Sequence, residues 1–540
     1  MALHIEDYAL ISDCHSAALV GRDGSIDWLC LPRYDSASMF GALLGTEDHG
    51  RWLLAPADPA ATSIRSYVGD TFILSTIWTT KTGQVEVLDF MPHGDGRADV
   101  VRSVRGISGR VEMRQDLRLR FGYATTVPWV RQLTHEKTPG LIAIAGPDAV
   151  VVRGPALRAS DHRHTATFTV STNEFVPLHL TWYPSHRALP APVNMSEAFS
   201  QTRAWWEAWA DACVHSGEFR SSVVRSLLVL RALTHERTGG IVAAATTSLP
   251  EIEGGTRNWD YRYVWLRDAS LTLQVLLSHG YENEAQDWRA WLLRAIAGDP
   301  NDVQIMYGLS GERYLPEREL PSLPGHRGAA PVRVGNGAVG QFQADAVGEV
   351  MMALHSARGA GVEETEFSWP LQLALMKYLE ENWQRPDQGI WEVRGPAREF
   401  THSRVMVWAA FDRAVRGVTE YGLPARWTGG GVSGTRCGKT SRSAASTRPA
   451  AATPSTSAAK RSTPRYCCCR RWASASRRMR ACSAPCAPSR PICCATAWCC
   501  ATARRRRWTA SRAVSIRSWP VRSGWWSSSP ARGAPTTPSS

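Results

Sequence analysis

The sequence predicts a multidomain β + α protein: an antiparallel β-sandwich, then an all-helical region, then an irregular basic tail that belongs to neither. Three observations carry this reading. Apolar and polar residues alternate in short runs through roughly the first two hundred residues. Helical spacing takes over near Ser200. After Arg426 both periodicities stop and the composition changes.

The β reading rests first on Val111, Met113, Leu117, Leu119 and Phe121, which alternate with Glu112, Arg114, Asp116, Arg118 and Arg120. A period of two with one apolar side is a strand with one buried face. Thr71 to Thr80 and Val85 to Phe90 give two more strands, joined through Lys81-Thr82-Gly83 as a hairpin. Several short strands separated by turn signals make a sandwich, placed at residues 1–200. A linker helix follows at 201–216, where Thr202 to Ala212 (TRAWWEAWADA) is amphipathic and rich in Trp. Val223, Leu227 and Leu230 then recur at helical spacing and open the helical region, 217–426. Its further helices are predicted at 267–279, 282–297, 340–358, 367–383 and 401–417, with long loops between some of them.

At 540 residues the chain exceeds one ordinary core, so two or more domains are expected. The net charge of +13 suggests nucleic acid until its distribution is seen. Residues Trp427 to Ser540 carry 21 Lys or Arg and no Asp or Glu, which leaves 41 basic against 49 acidic residues before them. The basicity lives in the tail, and no specific nucleic-acid partner is expected. Cysteine divides the same way: Cys14, Cys30 and Cys213 precede the break and ten of the thirteen follow it. Those ten include Cys467-Cys468-Cys469 but no CxxC pair and no accompanying His, so no metal site is predicted. No apolar run reaches eighteen residues, and the start, Met1 to Asp7, lacks the pattern of a secretory leader. A cytoplasmic protein without a membrane partner is the expectation.

The segment richest in chemistry is Arg257-Asn258-Trp259-Asp260-Tyr261-Arg262-Tyr263-Val264-Trp265-Leu266-Arg267-Asp268, just before a helix expected to begin near Ala269. Aromatic faces stack on the apolar faces of sugar rings, while Arg and Asp grip hydroxyls through charge-assisted hydrogen bonds. A second polar loop spans 306–349 and offers Arg333-Val334-Gly335-Asn336 and Gln341-Phe342-Gln343-Ala344-Asp345. A third segment is Gly389-Ile390-Trp391-Glu392-Val393-Arg394-Gly395. A carboxylate beside Trp can be desolvated and raised in pKa, as a general acid requires.

Together these segments resemble glycoside hydrolase family 15, the glucoamylases and trehalase-like enzymes. The opening is similar to that family's bacterial N-terminal domain, through IEDYALISD (Ile5 to Asp13) and DGSIDWLCLPRYDS (Asp23 to Ser36). The resemblance covers about Ile5 to Arg426 and is most specific in RNWDYRYVWLRD and IWEVRG. It implies a β-sandwich followed by an (α/α) barrel of six helical hairpins, and an inverting hydrolysis of α-glucosidic bonds without cofactor or metal. On that mapping Glu392 is the general acid. Trp259, Tyr261, Trp265, Arg267, Asp268, Arg333, Asn336 and Trp391 are the substrate-binding residues, and the partner is a small α-glucoside such as trehalose or a malto-oligosaccharide.

The resemblance also implies a general base late in the chain, and no carboxylate exists after Arg426 to supply it. Only about six of twelve barrel helices precede the break, so the barrel is truncated. A shift of reading frame accounts for this. Cys467 to Ala473 (CCCRRWA) can be encoded by TGC TGC TGC CGG CGG TGG GCT, and the frame one base earlier reads LLLPAVG. Trp508 to Val521 (WTASRAVSIRSWPV) likewise permits VDGLPGGEHPFLAC. A chain without its base is expected to be inactive, and a sugar-binding protein without catalysis is the alternative.

Overall fold

The structure, a computed structural model, describes residues 2–94, 96–135 and 138–425. The expected basic tail and its cysteine clusters lie outside the described residues.

The N-terminal region is β, and its strands pair antiparallel throughout the described residues. Its centre is one 21-residue strand, Ala98–Arg118. The first half of this strand pairs with Gly83–Phe90 and Phe175–Pro184. The second half pairs with Arg51–Pro56 and Arg163–Ser171. Glycine makes the change of partners possible: Gly109 has φ +63°, and a Cβ on Gly106 would lie 1.9 Å from the Ser171 carbonyl oxygen. Before this point the strand is buried on both faces from Ala98 to Val104, and beyond it the strand alternates. Val100, Val104, Val111, Met113 and Leu117 enter one apolar cluster with Trp52, Leu54, Val85, Val87 and Leu180, while Arg105, Glu112 and Arg114 face solvent.

Within this core Arg102 and Asp89 form a fully buried ion pair. The guanidinium donates to the Asp89 carboxylate at 2.7 and 3.3 Å, to the Trp52 carbonyl at 2.6 Å and to the Gly24 carbonyl at 2.8 Å. The expected hairpin is present, with Thr80 opposite Gly83 across a turn at Lys81-Thr82. Its first strand begins at Leu74 and not at Thr71. The Thr71 hydroxyl instead closes a turn, donating to the Val68 carbonyl at 2.6 Å and accepting from the Ile73 amide.

Helix α1, Met195–Asp211, starts earlier than the predicted linker because Asn194 caps it, accepting from the Glu197 amide. It buries Trp206 and Ala210 in a cluster shared with Phe72 of the β region and with Val224, Leu227 and Leu228 of α2 (Arg220–Ala232). The regions are also stitched directly: the Trp28 indole donates to the Ala245 carbonyl at 2.9 Å, and the Tyr34 hydroxyl donates to the Ala232 carbonyl.

The helices that follow are α3 (Leu266–Ser278), α4 (Glu282–Ala295), α5 (Asp345–Gly359), α6 (Ser368–Asn382) and α7 (Thr401–Thr419). Gly280, at φ +96°, ends the first of these and lets the chain reverse into α4. Helix α5 is buried on nearly every side, between α3 and α7. Gly348 allows α7 to approach, since a Cβ there would meet the Met406 carbonyl oxygen at 2.4 Å. The helix predicted from residue 340 begins at Asp345, because Gly337–Gly340 is a separate 3-10 turn capped by Asn336. Among the described residues no helix is long and apolar enough to cross a membrane.

Candidate active site

Two charges in the 257–268 segment are turned into the protein interior. Asp260 and Arg262 form a fully buried bidentate pair, with N–O distances of 2.9 and 2.8 Å. The same guanidinium reaches into the β region, donating to the Ser36 carbonyl and the Tyr123 hydroxyl, each at 2.8 Å. Helix α3 begins at Leu266, not near Ala269 as predicted, so Arg267 and Asp268 sit in its first turn. An acidic residue is favoured there by the helix dipole.

Glu392 lies 125 residues later in sequence and directly against this turn. Trp265 Nε1 donates to its Oε1 at 2.6 Å, and Arg267 Nη2 donates to the same oxygen at 3.1 Å. Its side chain is 17% exposed, and burial pushes the carboxyl above the usual Glu range against the opposing pull of Arg267. The Trp that shields it is the buried Trp265. Trp391, adjacent in sequence, is 79% exposed and points away from that role. Tyr261 leans on Trp265 with ring centroids 5.6 Å apart. Asp268 is 42% exposed and 3.5 Å from Arg267. Glu392, Tyr261, Trp265, Arg267 and Asp268 are therefore brought together.

The backbone holds this arrangement. Glu392 has φ +53°, a conformation L-residues rarely adopt, and its carbonyl accepts from Gln341 Nε2 at 3.2 Å. Asp387 anchors both ends of the junction, accepting from the Gly389 amide at 3.2 Å and from the Ala344 amide at 3.0 Å. Gln343 accepts from Arg267 Nη1 at 3.2 Å.

Trp259, Arg333 and Asn336 occupy a different position. The guanidinium carbons of Arg333 and Arg394 lie 4.6 and 3.8 Å from the Trp259 ring centroid. Arg333 also donates to the Thr256 and Asn258 carbonyls at 3.1 Å. Asn336 is buried, with its amide donating to the Asp260 carbonyl at 3.2 Å and its oxygen accepting from Arg394 at 3.2 Å. Glu317 clamps Arg394 bidentately at 3.0 and 2.7 Å. These groups fasten the loops beneath the Glu392 turn to one another. Sequence reasoning missed Glu317 and Asp387, and no local pattern marks either.

It named Asp345 but missed Glu349, with which Asp345 forms an acidic pair on α5. Asp345 and Glu349 are four residues apart and so share one helix face. Asp345 is fully buried, 4.0 Å from Arg267 and 3.8 Å from His402 of α7; Glu349 is 6% exposed and 3.9 Å from His402. Burial, and then the Asp345 charge, push Glu349 up to about 7. An unfolded Glu ionises near 4.3, so between about that pH and 7 the folded chain keeps a proton the unfolded chain has lost. Stability from this group therefore falls as pH rises through that window, by on the order of 3 kcal/mol, and levels off above it. Glu349→Gln is expected to raise the melting temperature by several degrees near pH 8 and to leave it nearly unchanged near pH 4, below the unfolded pKa. Equal shifts at the two pH values would refute this account.

The geometry joins a shielded carboxyl, raised by burial, to an Arg–Asp pair and two aromatic rings. Comparison with known proteins gives it a lineage. The profile of the Glycosyl hydrolases family 15 matches residues 217–517. The chain belongs to glycosyl hydrolase family 15. A trehalase-like N-terminal profile matches residues 1–183 of this family 15 chain. It is 34% identical over 453 residues to a trehalase of Mycobacterium tuberculosis, with 76% of this chain and 64% of that protein covered. A trehalase of Thermoplasma acidophilum is 31% identical, with 76% and 71% covered, and Trehalase 1 of Sulfolobus acidocaldarius is 32% identical, with the same coverage. The chain thus spans just under two thirds of the mycobacterial relative. Among solved structures a bacterial glucoamylase complexed with acarbose aligns with a TM-score of 0.54 at 10% identity, over 78% of this chain and 64% of that one. That likeness is one of fold.

Proposed function

We propose that this family 15 chain carries the acid half of an inverting α-glucoside hydrolase, with a β-sandwich in front of a truncated (α/α) six-hairpin barrel. One observation carries the reading: the Glu392 carboxyl held at 2.6 Å by Trp265 and 3.1 Å by Arg267, residues of the separate segment that also presents Tyr261 and Asp268. Inverting glycosidases need one carboxyl protonated to release the leaving group and a second, roughly 6.5–9.5 Å away, to activate water. Glu392 suits the first role, since burial favours its neutral form. Arg267 and Asp268 grip the hydroxyls of the terminal glucose, with Trp265 and Tyr261 as its aromatic wall. Trehalose is the preferred substrate over malto-oligosaccharides, and the trehalase relatives support that order.

The second carboxyl is missing. No Asp or Glu occurs from Trp427 to Ser540, so the part of the family match that runs from there to residue 517 contributes no base. A reading-frame shift after about residue 426 explains the loss. The chain as it stands is then inactive while still able to hold a sugar, which makes a non-catalytic sugar-binding protein the second reading.

Three substrates separate these readings: trehalose, maltose and a longer α-glucan, each offered to the chain as it is and to a chain with the frame restored. Glucose release by the restored chain alone is expected. Turnover by the present chain would overturn the assignment of the missing base, and no release by either would overturn the activity.

A further inference from the structure

One short stretch of the β region has a backbone that packing alone does not account for. Gly122, Tyr123 and Ala124 have φ of 60°, 59° and 65°, three left-handed residues in succession of which two carry side chains. Such residues persist only where their surroundings hold them, and they cluster at sites whose geometry matters. Local hydrogen bonds close the turn: Phe121 bridges Thr126, and the Thr125 hydroxyl donates to the Gly122 carbonyl at 2.7 Å.

The helical half grips this turn from two sides. The Tyr123 hydroxyl accepts from Arg262 Nη2 at 2.8 Å, and the Tyr123 carbonyl accepts from the Ser322 hydroxyl at 2.9 Å. The Arg262 guanidinium lies over the Tyr123 ring at 5.4 Å and over Trp28 at 5.9 Å. Burial pushes the Tyr123 phenol up to about 12, so it stays a neutral hydroxyl beside the cation. Arg262 is fully buried and bidentate to Asp260, with the remaining donors on the Ser36 and Tyr34 carbonyls. Tyr261 is bonded in sequence to both members of that pair, and Trp265 and Arg267 follow within five residues. Where Arg262 sits decides where those side chains meet Glu392.

We propose that the strained Gly122–Ala124 turn is a brace built into the β region for the sugar-binding loop, with Tyr123 and Arg262 as positioning residues. The loop's role in sugar binding rests on the family 15 reading given above. The β region is then a working part of the site, although none of its side chains touches Glu392 among the described contacts. A guanidinium suits this duty because its rigid fork serves Asp260, the hydroxyl and two carbonyls at once, which an ammonium cannot do.

The test uses the full chain with Tyr123→Phe, which removes one hydroxyl, and Ser322→Ala, which releases the other grip. Hydrogen exchange of the Arg262 and Leu266 amides is read against that of Ala98–Arg118, and calorimetry with glucose and trehalose is run in parallel. Loop exchange about tenfold faster in each variant, with the strand unchanged and sugar affinity lowered several-fold, is expected. Unchanged loop exchange, or equal acceleration in loop and strand, would overturn the brace. A parent chain that binds neither sugar would overturn the sugar reading of the loop, and the exchange data would still decide whether the brace exists.

Discussion

In a chain altered to reverse the proposed frame shift after residue 426, Glu392→Gln is expected to lower kcat on an α-glucoside by about 10²–10⁴-fold. The amide keeps the size of the carboxyl and can still accept from Trp265 and Arg267, which now hold Oε1 at 2.6 and 3.1 Å. It cannot deliver a proton to the leaving oxygen. Substrate affinity should change little, because grip on the terminal sugar is assigned to Arg267, Asp268 and the aromatic wall. The basic limb of the pH–rate profile, set by a carboxyl that burial raises, should vanish with it. A rate within a few-fold of the parent would remove Glu392 from the mechanism. A collapse in affinity with turnover intact would reassign it to binding.

Asp89→Ala is expected to cost about 3–5 kcal/mol of stability, the largest single loss we foresee in the β region. The residue left behind, Arg102, is fully buried and keeps the Trp52 and Gly24 carbonyls as its partners. Two neutral acceptors do not replace a carboxylate at 2.7 Å in a place water does not reach. Urea unfolding followed by a β-sensitive signal measures the loss. The paired change Asp89→Leu with Arg102→Met should recover much of it, since removing both charges spares the desolvation of either. A loss below about 1 kcal/mol would mean that water reaches Arg102 in the variant.

The helices were legible because their signal is local. Residues 267–279 and 401–417 were read from spacing, and the helices run Leu266–Ser278 and Thr401–Thr419. Boundaries failed where a side chain outvoted the pattern: Thr71 took a turn, and Asn336 capped a separate 3-10 turn ahead of α5. The segments of the candidate site were legible from their residue types, but not which of their side chains meet. Nothing in the spacing of Trp265 and Glu392 says that they touch. In RNWDYRYVWLRD the charges alternate with aromatics, and only the β region decides that Asp260 and Arg262 turn away while Arg267 and Asp268 do not. The same holds for Trp391. Its ring looked like the shield for Glu392 because it is next in sequence, but the left-handed backbone at Glu392 hands that role to Trp265.

The strand Ala98–Arg118 has a consequence for how this region can be inherited. Its two halves belong to different sets of partners, Gly83–Phe90 and Phe175–Pro184 on one side, Arg51–Pro56 and Arg163–Ser171 on the other. Those partners come from before and after it in the chain, so no crossover point in the gene yields two halves that each keep a complete sheet. A recombinant that swaps residues on one side of Gly106 must match a foreign register along the whole strand or lose pairing on both sides. The region should therefore pass between proteins as one block or not at all, with the Tyr123 turn, only five residues past the strand's end, always travelling with it.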